Sequence, residues 1–225
     1  MNTTDIAILT GLTEQHIVQY QDNFSLHTAA VSPFTVLCEA AKTSGIDIRI
    51  ASSFRSYQRQ AAIWQAKITG ARTVFDQDGK TVDVTKLAGM AKLDAVLLYS
   101  ALPGASRHHW GTEVDIYDAA AVPDDYKPRL LPEEYSETGP FWDMQQWLQK
   151  HAAGFGFFQP YQVYQGGVAA EPWHLSFRPV AEQYLVQFSP STLRQCIALH
   201  PLTEQELVLE HLDTIFTRYV TNICR

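Results

Sequence analysis

The chain of 225 residues has few cysteines, no excess of basic charge and no long apolar run. Its three cysteines, Cys38, Cys196 and Cys224, are odd in number and far apart. That suits reduced thiols better than a disulfide framework, and no two are close enough to suggest a cysteine-built zinc knuckle. Lysine and arginine total 17 against 24 acidic residues, a formal charge of −7. The electrostatic footprint of a nucleic-acid binder is therefore missing. No apolar stretch approaches the roughly 18 residues of a membrane-spanning helix. The first residues carry neither the basic segment nor the apolar run of a secretory leader. A soluble, cytoplasmic protein is expected, with export after loss of a leader as the alternative. Repeats and low-complexity segments are also absent. What remains is 46% apolar, enough for one sizeable core, and residues 1–225 are expected to form a single domain.

Two short stretches concentrate groups that bind divalent metals. In residues 106–115, His108 and Asp115 stand seven positions apart with Gly111 between them. After the glycine, Glu113, Asp115 and Tyr117 alternate with Val114 and Ile116, the period of a half-buried strand. A strand alone does not put positions seven apart on one face. Gly111 is the expected turn that folds His108 back over Asp115. In the second stretch Pro172 lacks the N–H that a ladder needs, so a strand is expected to begin after it. Trp173, Leu175 and Phe177 then face one way, His174 and Ser176 the other. Glu171 falls in the loop at the mouth of that strand, close to His174. Two histidines and a carboxylate make a three-ligand set for catalytic zinc that leaves a position for water. A further carboxylate nearby is a candidate general base.

The rest of the chain predicts local structure. Residues 13–21 read as a short helix capped by Thr13. Residues 32–44 read as a longer one, with Ser32 as N-cap, Pro33 at the first helical position and Gly45 as the stop. Val31 and Val36 would staple it, and Cys38 would lie in its core face. Residues 46–50 alternate as a strand leading to a helix that ends near Lys67, which puts Arg55 at a strand-to-helix junction. Residues 69–84 predict a hairpin about Asp78 and Gly79. The spacing of Asp76, Asp78 and Asp83 fits a solvated tip and not a calcium loop. A helix from about 85 to 101 would end at Pro103 and Gly104.

Residues 122–140 hold four prolines and read as a long loop of the kind that walls a substrate site, with Glu133 and Glu134 in solvent. A helix over 141–150 would pack through Trp142 and Trp147. Residues 154–158 and 161–164 read as strand material that leads through Gly166 and Gly167 to Glu171. Beyond 178 the chain reads as helical. Thr203 and Glu206 fit a capping box, and Val208, Leu212, Ile215, Phe216, Tyr219 and Ile223 share a face. This tail reads as a packed appendage, with a dimer surface as the alternative, so the oligomeric state stays open. His16, His27, His151, His200 and His211 read as surface or capping residues. His109 adjoins His108 and could compete with it as a ligand.

Ser106-x-His108-x-x-Gly111-x-x-x-Asp115, followed by Glu171-x-Trp173-His174, resembles the zinc signature of the D-alanyl-D-alanine carboxypeptidase and dipeptidase family. That family includes vancomycin-resistance D,D-peptidases and phage L-alanyl-D-glutamate endopeptidases, and shares its fold with the hedgehog signalling domain. Phe54-Arg55-Ser56-Tyr57-x-x-Gln60 is similar to the family's Tyr-Arg-Ser…Gln motif, with Phe54 in place of the usual tyrosine. The resemblance covers about residues 46–177.

It implies an α+β fold in which a small, mainly antiparallel sheet carries the metal and helices cover its back, with a helical extension over about 178–225. It implies one zinc per chain on His108, Asp115 and His174, with Glu171 as the catalytic base. Arg55 would face the substrate, giving bidentate bonds to a carboxylate or stabilising an oxyanion. Ser106 and Gln60 would assist in holding the substrate, Gln60 more readily from behind Arg55. Trp173 would pack behind the site.

The implied reaction is hydrolysis of a bond involving D-alanine in peptidoglycan stem peptides or their precursors. A peptidoglycan endopeptidase of the L-alanyl-D-glutamate type, released to the cell wall, and a non-catalytic module on the same fold are the alternatives. The presence of both Glu171 and Arg55 argues against the module. With a net charge of −7, an anionic cell-wall polymer would be met locally and not by overall attraction. The family often has a small residue where Glu113 stands. A carboxylate there would sit behind the ligands, contact a substrate amine or alter the metal's charge balance.

Overall fold

The computed structural model describes residues 3–21 and 23–225. Helix α1 (Thr3–Leu9) is followed by a hairpin of β1 (Ile17–Gln21) and β2 (Phe24–His27), which runs directly into α2 (Thr28–Lys42). The expected helix over 13–21 is thus a strand from Ile17 onward. Thr13 Oγ1 accepts the N–H of Gln15 but only closes a turn. Ile17, Val18 and Tyr20 are β-branched or aromatic, and pairing with β2 offers them a ladder that a short helix lacks.

Helix α2 begins at Thr28 and not at Ser32. Its N-cap is His27, whose Nδ1 accepts the N–H of Ala29 at 3.1 Å. Pro33 therefore lies inside the helix and gives up one helical bond, a cost offset by burial of Ala30, Phe34 and Leu37. Val36 is 51% exposed, so no staple forms. Gly45 does end this segment, at φ +80, with Ile46 N–H on the Ala41 carbonyl. Cys38 is buried, and burial pushes its thiol up to about 12, the state of an inert core residue.

Strand β3 (Ile48–Ser52) leads to α3 (Tyr57–Ile68), capped by Ser56 Oγ on the N–H of Arg59. A small hairpin of β4 (Val74–Phe75) and β5 (Thr81–Val82) turns at Gly79, φ +73, where Asp76 accepts the N–H groups of Asp78 and Lys80. Helix α4 (Gly89–Leu97) is shorter than the expected 85–101, because Gly89 at φ +58 separates it from a 3-10 turn at Val84–Lys86. Then come β6 (Glu113–Asp118), α5 (Trp142–His151), β7 (Phe157–Phe158) and β8 (His174–Phe177). Four helices close the chain: α6 (Arg178–Gln187), α7 (Pro190–Leu199), α8 (Gln205–Glu210) and α9 (Leu212–Ile215).

Several local expectations differ from the structure. Residues 161–164 form turns and no strand. Glu134 is buried and not solvated: its carboxylate accepts the N–H groups of Arg129 and Leu131 and the hydroxyl of Tyr126. It thereby pins the loop that Glu133 and Arg129 expose. Glu204, at φ +63, caps α8 without a side-chain bond, so the Thr203–Glu206 box does not form. Val208, Leu212, Ile215, Phe216 and Tyr219 are buried as the period predicts, but Ile223 lies beyond the last helical turn.

The central sheet is antiparallel throughout, in the order β3-β6-β8-β7. Its two faces have different partners. Val114, Ile116, Leu175 and Phe177 join a core with Phe34 and Leu37 of α2 and Met144 and Leu148 of α5. Glu113, Asp115, His174 and Ser176 project from the other face. Strand β6 is buried on both faces rather than half-buried, because this polar face is also covered. A second cluster holds Trp64 of α3, Leu93 and Leu97 of α4, and Leu193, Ile197, Val208 and Ile215 of the last helices. The chain is a mixed helix and antiparallel-sheet fold.

Candidate metal centre

The register of β6 on β8 sets the first pair. Asp115 lies directly opposite His174, and Glu113 opposite Ser176, so all four side chains share one face. His108 reaches that face from a 3-10 turn, Arg107–Trp110, which ends at Gly111 with φ +66. A Cβ at Gly111 would lie 2.3 Å from Ile17 Cδ1 and 2.8 Å from the His27 nitrogen. Only glycine gives both the left-handed backbone and that close approach to the first hairpin. The fold of His108 back over Asp115 is therefore locked from outside by the hairpin.

Each histidine is oriented by its second nitrogen. His108 Nδ1 lies 2.9 Å from the Ser53 carbonyl, so it donates, and Nε2 is the free lone pair, 3.4 Å from Asp115 Oδ2. His174 Nε2 lies 2.7 Å from Glu113 Oε2 and donates there. That leaves Nδ1 facing Asp115 Oδ1 at 3.2 Å and Glu171 Oε2 at 3.4 Å. Nδ1 is buried without a well-directed hydrogen bond. The two rings meet edge to face, with centroids 4.9 Å apart.

One donor atom from each of His108, Asp115 and His174 lies within 4.8 Å of the others. Ligands about 2.1 Å from one tetrahedral ion stand about 3.4 Å from each other. The group therefore fits a metal ion such as zinc, and the orphaned Nδ1 is the atom such an ion would satisfy. The electrostatics agree. Burial alone would raise the Asp115 carboxyl, but His108 and His174 outweigh it and hold it well below the usual range. Burial opposes charge on His174, yet Asp115, Glu113 and Glu171 raise its pKa well above normal. The pocket at Nδ1 is built to face a positive charge.

Glu113 is fully enclosed. Besides His174, it accepts hydrogen bonds from Arg107 Nη2, Thr112 Oγ1 and Ser176 Oγ. It thus stands behind His174 and is closed to a substrate amine. Arg107, whose guanidinium stacks 4.8 Å from the Trp110 ring, was not singled out in the sequence. It is an unspecified position within the Ser-x-His pattern, and no local signal marks it. Tyr161 was likewise missed. Its ring packs 5.1 Å from that of His174, and its carbonyl accepts the Glu171 N–H.

A cleft of about 520 Å³ opens on this group, lined among others by Arg55, Ser106, His108, Asp115, Tyr161, Glu171, Trp173 and His174. Arg55 donates to Gln60 Oε1 at 2.8 Å and to Ser52 Oγ at 3.0 Å. Gln60 in turn donates to the Ala101 carbonyl and is fully buried. It holds Arg55 from behind and does not line the cleft. Trp173 both lines the cleft and packs against Tyr135. His109 turns away, with Nδ1 on the Arg55 carbonyl and Nε2 accepting the Gly104 N–H. Burial drives its pKa down to about 3, so it is a neutral structural residue and no rival to His108.

A family model described as VanY, D-alanyl-D-alanine carboxypeptidase, matches residues 23–180. The chain belongs to that family. The matched range contains every residue of the cleft named above and stops just after β8. An uncharacterised protein of Haemophilus influenzae is 37% identical over 121 residues, 53% of this chain and 92% of the relative. A solved mutant of the vancomycin-resistance D,D-pentapeptidase VanY, in complex with Zn(II), superposes with a TM-score of 0.51 and 21% identity, covering 77% of this chain and 92% of that one. VanYB in complex with D-alanine-D-alanine gives 0.52 and 20%, covering 82% and 88%. These likenesses are of fold, and they place this VanY-family chain on the peptidase architecture. Among the described residues no helix is long and apolar enough to cross a membrane.

Proposed function

We propose that this chain is a zinc-dependent peptidase that removes a C-terminal D-alanine from peptidoglycan stem peptides or their precursors. One observation carries the reading: the unpartnered His174 Nδ1 faces both Asp115 and Glu171 in a cleft that also holds Arg55. His108 Nε2, Asp115 and His174 Nδ1 would hold the zinc, which supplies Lewis acidity to the attacking water and the scissile carbonyl. Glu171, beside that group but with its carboxylate partly open to the cleft, takes the proton of the water and passes it to the leaving amine. Arg55, fixed by Gln60 and Ser52, holds the oxygen on which negative charge develops. Ser106 orients the peptide from the cleft wall. Residues 1–225 act as one unit in this reading, the terminal helices included.

Metal analysis of the purified protein should find about one zinc per chain, and D-alanine should be released from a pentapeptide stem. Glu171→Gln should keep the metal and lose about 10²–10⁴-fold in turnover, the usual contribution of a positioned base. Near-normal turnover in that variant would remove Glu171 from its role. Cleavage of internal bonds in cross-linked muropeptides, without D-alanine release, would favour the endopeptidase. Peptide binding without any hydrolysis would favour the module.

A further inference from the structure

The cleft carries more positive charge than the proposed hydrolysis uses. Its wall presents Arg55 just before α3, Lys67 in the last turn of α3 and Arg72 after it. Among the described residues none of the three has a carboxylate within ion-pair distance. The other charges of the cleft are engaged or distant in role. Arg107 is paired with Glu113, Asp78 with Lys80, and Asp115 and Glu171 face His174. Arg129 and Glu133 lie exposed on the proline-rich loop. In a chain with a net charge of −7, three cations on one wall without a direct ion pair are a local feature with a direction.

Lys67 is the most informative of them. It follows Gln60 by seven residues on α3, nearly two helical turns, with Ile63 on the same cleft-facing side. Lys67 is therefore about 10 Å along the helix from the residue that holds Arg55. Its ammonium group has no hydrogen-bond acceptor among the described residues. Burial, and then the neighbouring Arg72, pull its pKa down to about 8. Glu171 across the cleft attracts it without reaching ion-pair distance, so the half-buried ammonium has no direct anionic partner until a ligand brings one.

We propose that Lys67, with Arg72 at its rim, is a subsite for a carboxylate of the substrate, separate from Arg55. This rests on the peptidase reading and adds to it. Arg55, whose strongest opposing charge is Asp115, is left to the reacting oxygen. The carboxylate has two sources in a stem peptide: the free C-terminus, or an acidic side chain on a residue before the D-alanine pair.

The test uses the full zinc-loaded chain and a peptide set with and without each carboxylate. Lys67→Met keeps the apolar stem and removes the charge; Lys67→Arg restores a cation. The expected result is a rise in KM of about ten- to a hundredfold in Lys67→Met for peptides bearing the recognised carboxylate. Turnover number and zinc content should hold, and Lys67→Arg should regain most of the loss. Calorimetric binding to the Glu171→Gln chain, with and without Lys67→Met, gives the same comparison without hydrolysis. A loss confined to free C-termini identifies the terminal carboxylate, and a loss confined to acidic side chains identifies the internal one. Equal KM and Kd for the parent and Lys67→Met on every peptide overturn the subsite and leave the peptidase reading standing. Failure of the parent chain to bind or cut any of the peptides overturns both.

Discussion

Glu113 has no contact with solvent, yet it stays ionised. Burial opposes its charge, but Arg107, His174 and Ser176 outweigh that and bring its pKa down to about 2. Its role follows from which atoms it leaves free. By accepting the His174 Nε2–H it fixes the tautomer whose Nδ1 lone pair faces Asp115. In Glu113→Gln, an amide turned toward His174 would donate to Nε2 and push the proton onto Nδ1, where the metal would bind. The variant should lose metal affinity by about 10–100-fold. It should also lose about 3–5 kcal/mol of stability, because the Arg107 charge is stranded in the interior. Chelator competition and thermal unfolding read the two effects separately. A folded Glu113→Gln chain with unchanged metal affinity would exclude this orienting role. The face that Glu113 shares with Asp115 was legible in the sequence from a period of two. Its function was not, because that depends on Ser176 across the sheet and on Arg107 in a turn, neither of which carries a local mark.

Among the elements, those that carry the cleft were the most legible. Strands β6 and β8, the strand-to-helix junction at Arg55 and the Gly111 turn all follow from alternation, a run of good helix formers and a glycine that the backbone requires. The first hairpin and the start of α2 did not. There the local signals of Ser32 and Pro33 pointed to a helix start, and tertiary pairing of β1 with β2 overrode them. The same junction makes His27 an N-cap whose ring packs 5.7 Å from that of His16 and 5.8 Å from that of Tyr184. Burial, reinforced by His16, lowers the His27 pKa from 6.5 to about 4. The fold holds the neutral ring, so between those values the unfolded chain binds more protons than the folded one. Its contribution is then fully present above about 6.5 and is lost as the pH falls toward about 4. His27→Asn keeps an acceptor for the Ala29 N–H and removes the titration. Its thermal midpoint should fall less steeply than the parent's over that window. Parallel midpoint curves for the two chains would show that His27 does not set this acid sensitivity.

At the scale of the whole molecule, the helices beyond residue 180 bond to the segment that precedes Glu171. Their apolar period was legible, and the buried faces of Val208, Leu212 and Ile215 follow it. Their grip on the loop before Glu171 was not, because it joins residues far apart in the chain. Arg218 Nε donates to the Gly166 carbonyl at 2.6 Å across 52 residues, and Asn222 Nδ2 to the Gln165 carbonyl at 2.8 Å. Cys224 N–H reaches the Pro160 carbonyl at 2.8 Å, next to Tyr161, whose own carbonyl fixes the Glu171 N–H. Arg218 is in turn tied to Asp94 of α4. The tail thus clamps both ends of the segment that presents the proposed base. Gly167 is where the clamp is tightest: a Cβ there would stand 1.9 Å from the Arg218 carbonyl oxygen. That oxygen belongs to backbone and has little room to yield, so Gly167→Ala must move the loop or the tail. Overpacking of this kind costs about 1–3 kcal/mol. Gly167→Ala should therefore lower the thermal midpoint and the turnover number together, while zinc content holds, because His108, Asp115 and His174 lie on other segments. Arg218→Ala should do the same more weakly, since it removes bonds without forcing backbone apart. If Gly167→Ala kept the parent's turnover and midpoint, the terminal helices would be packing against the site without positioning it.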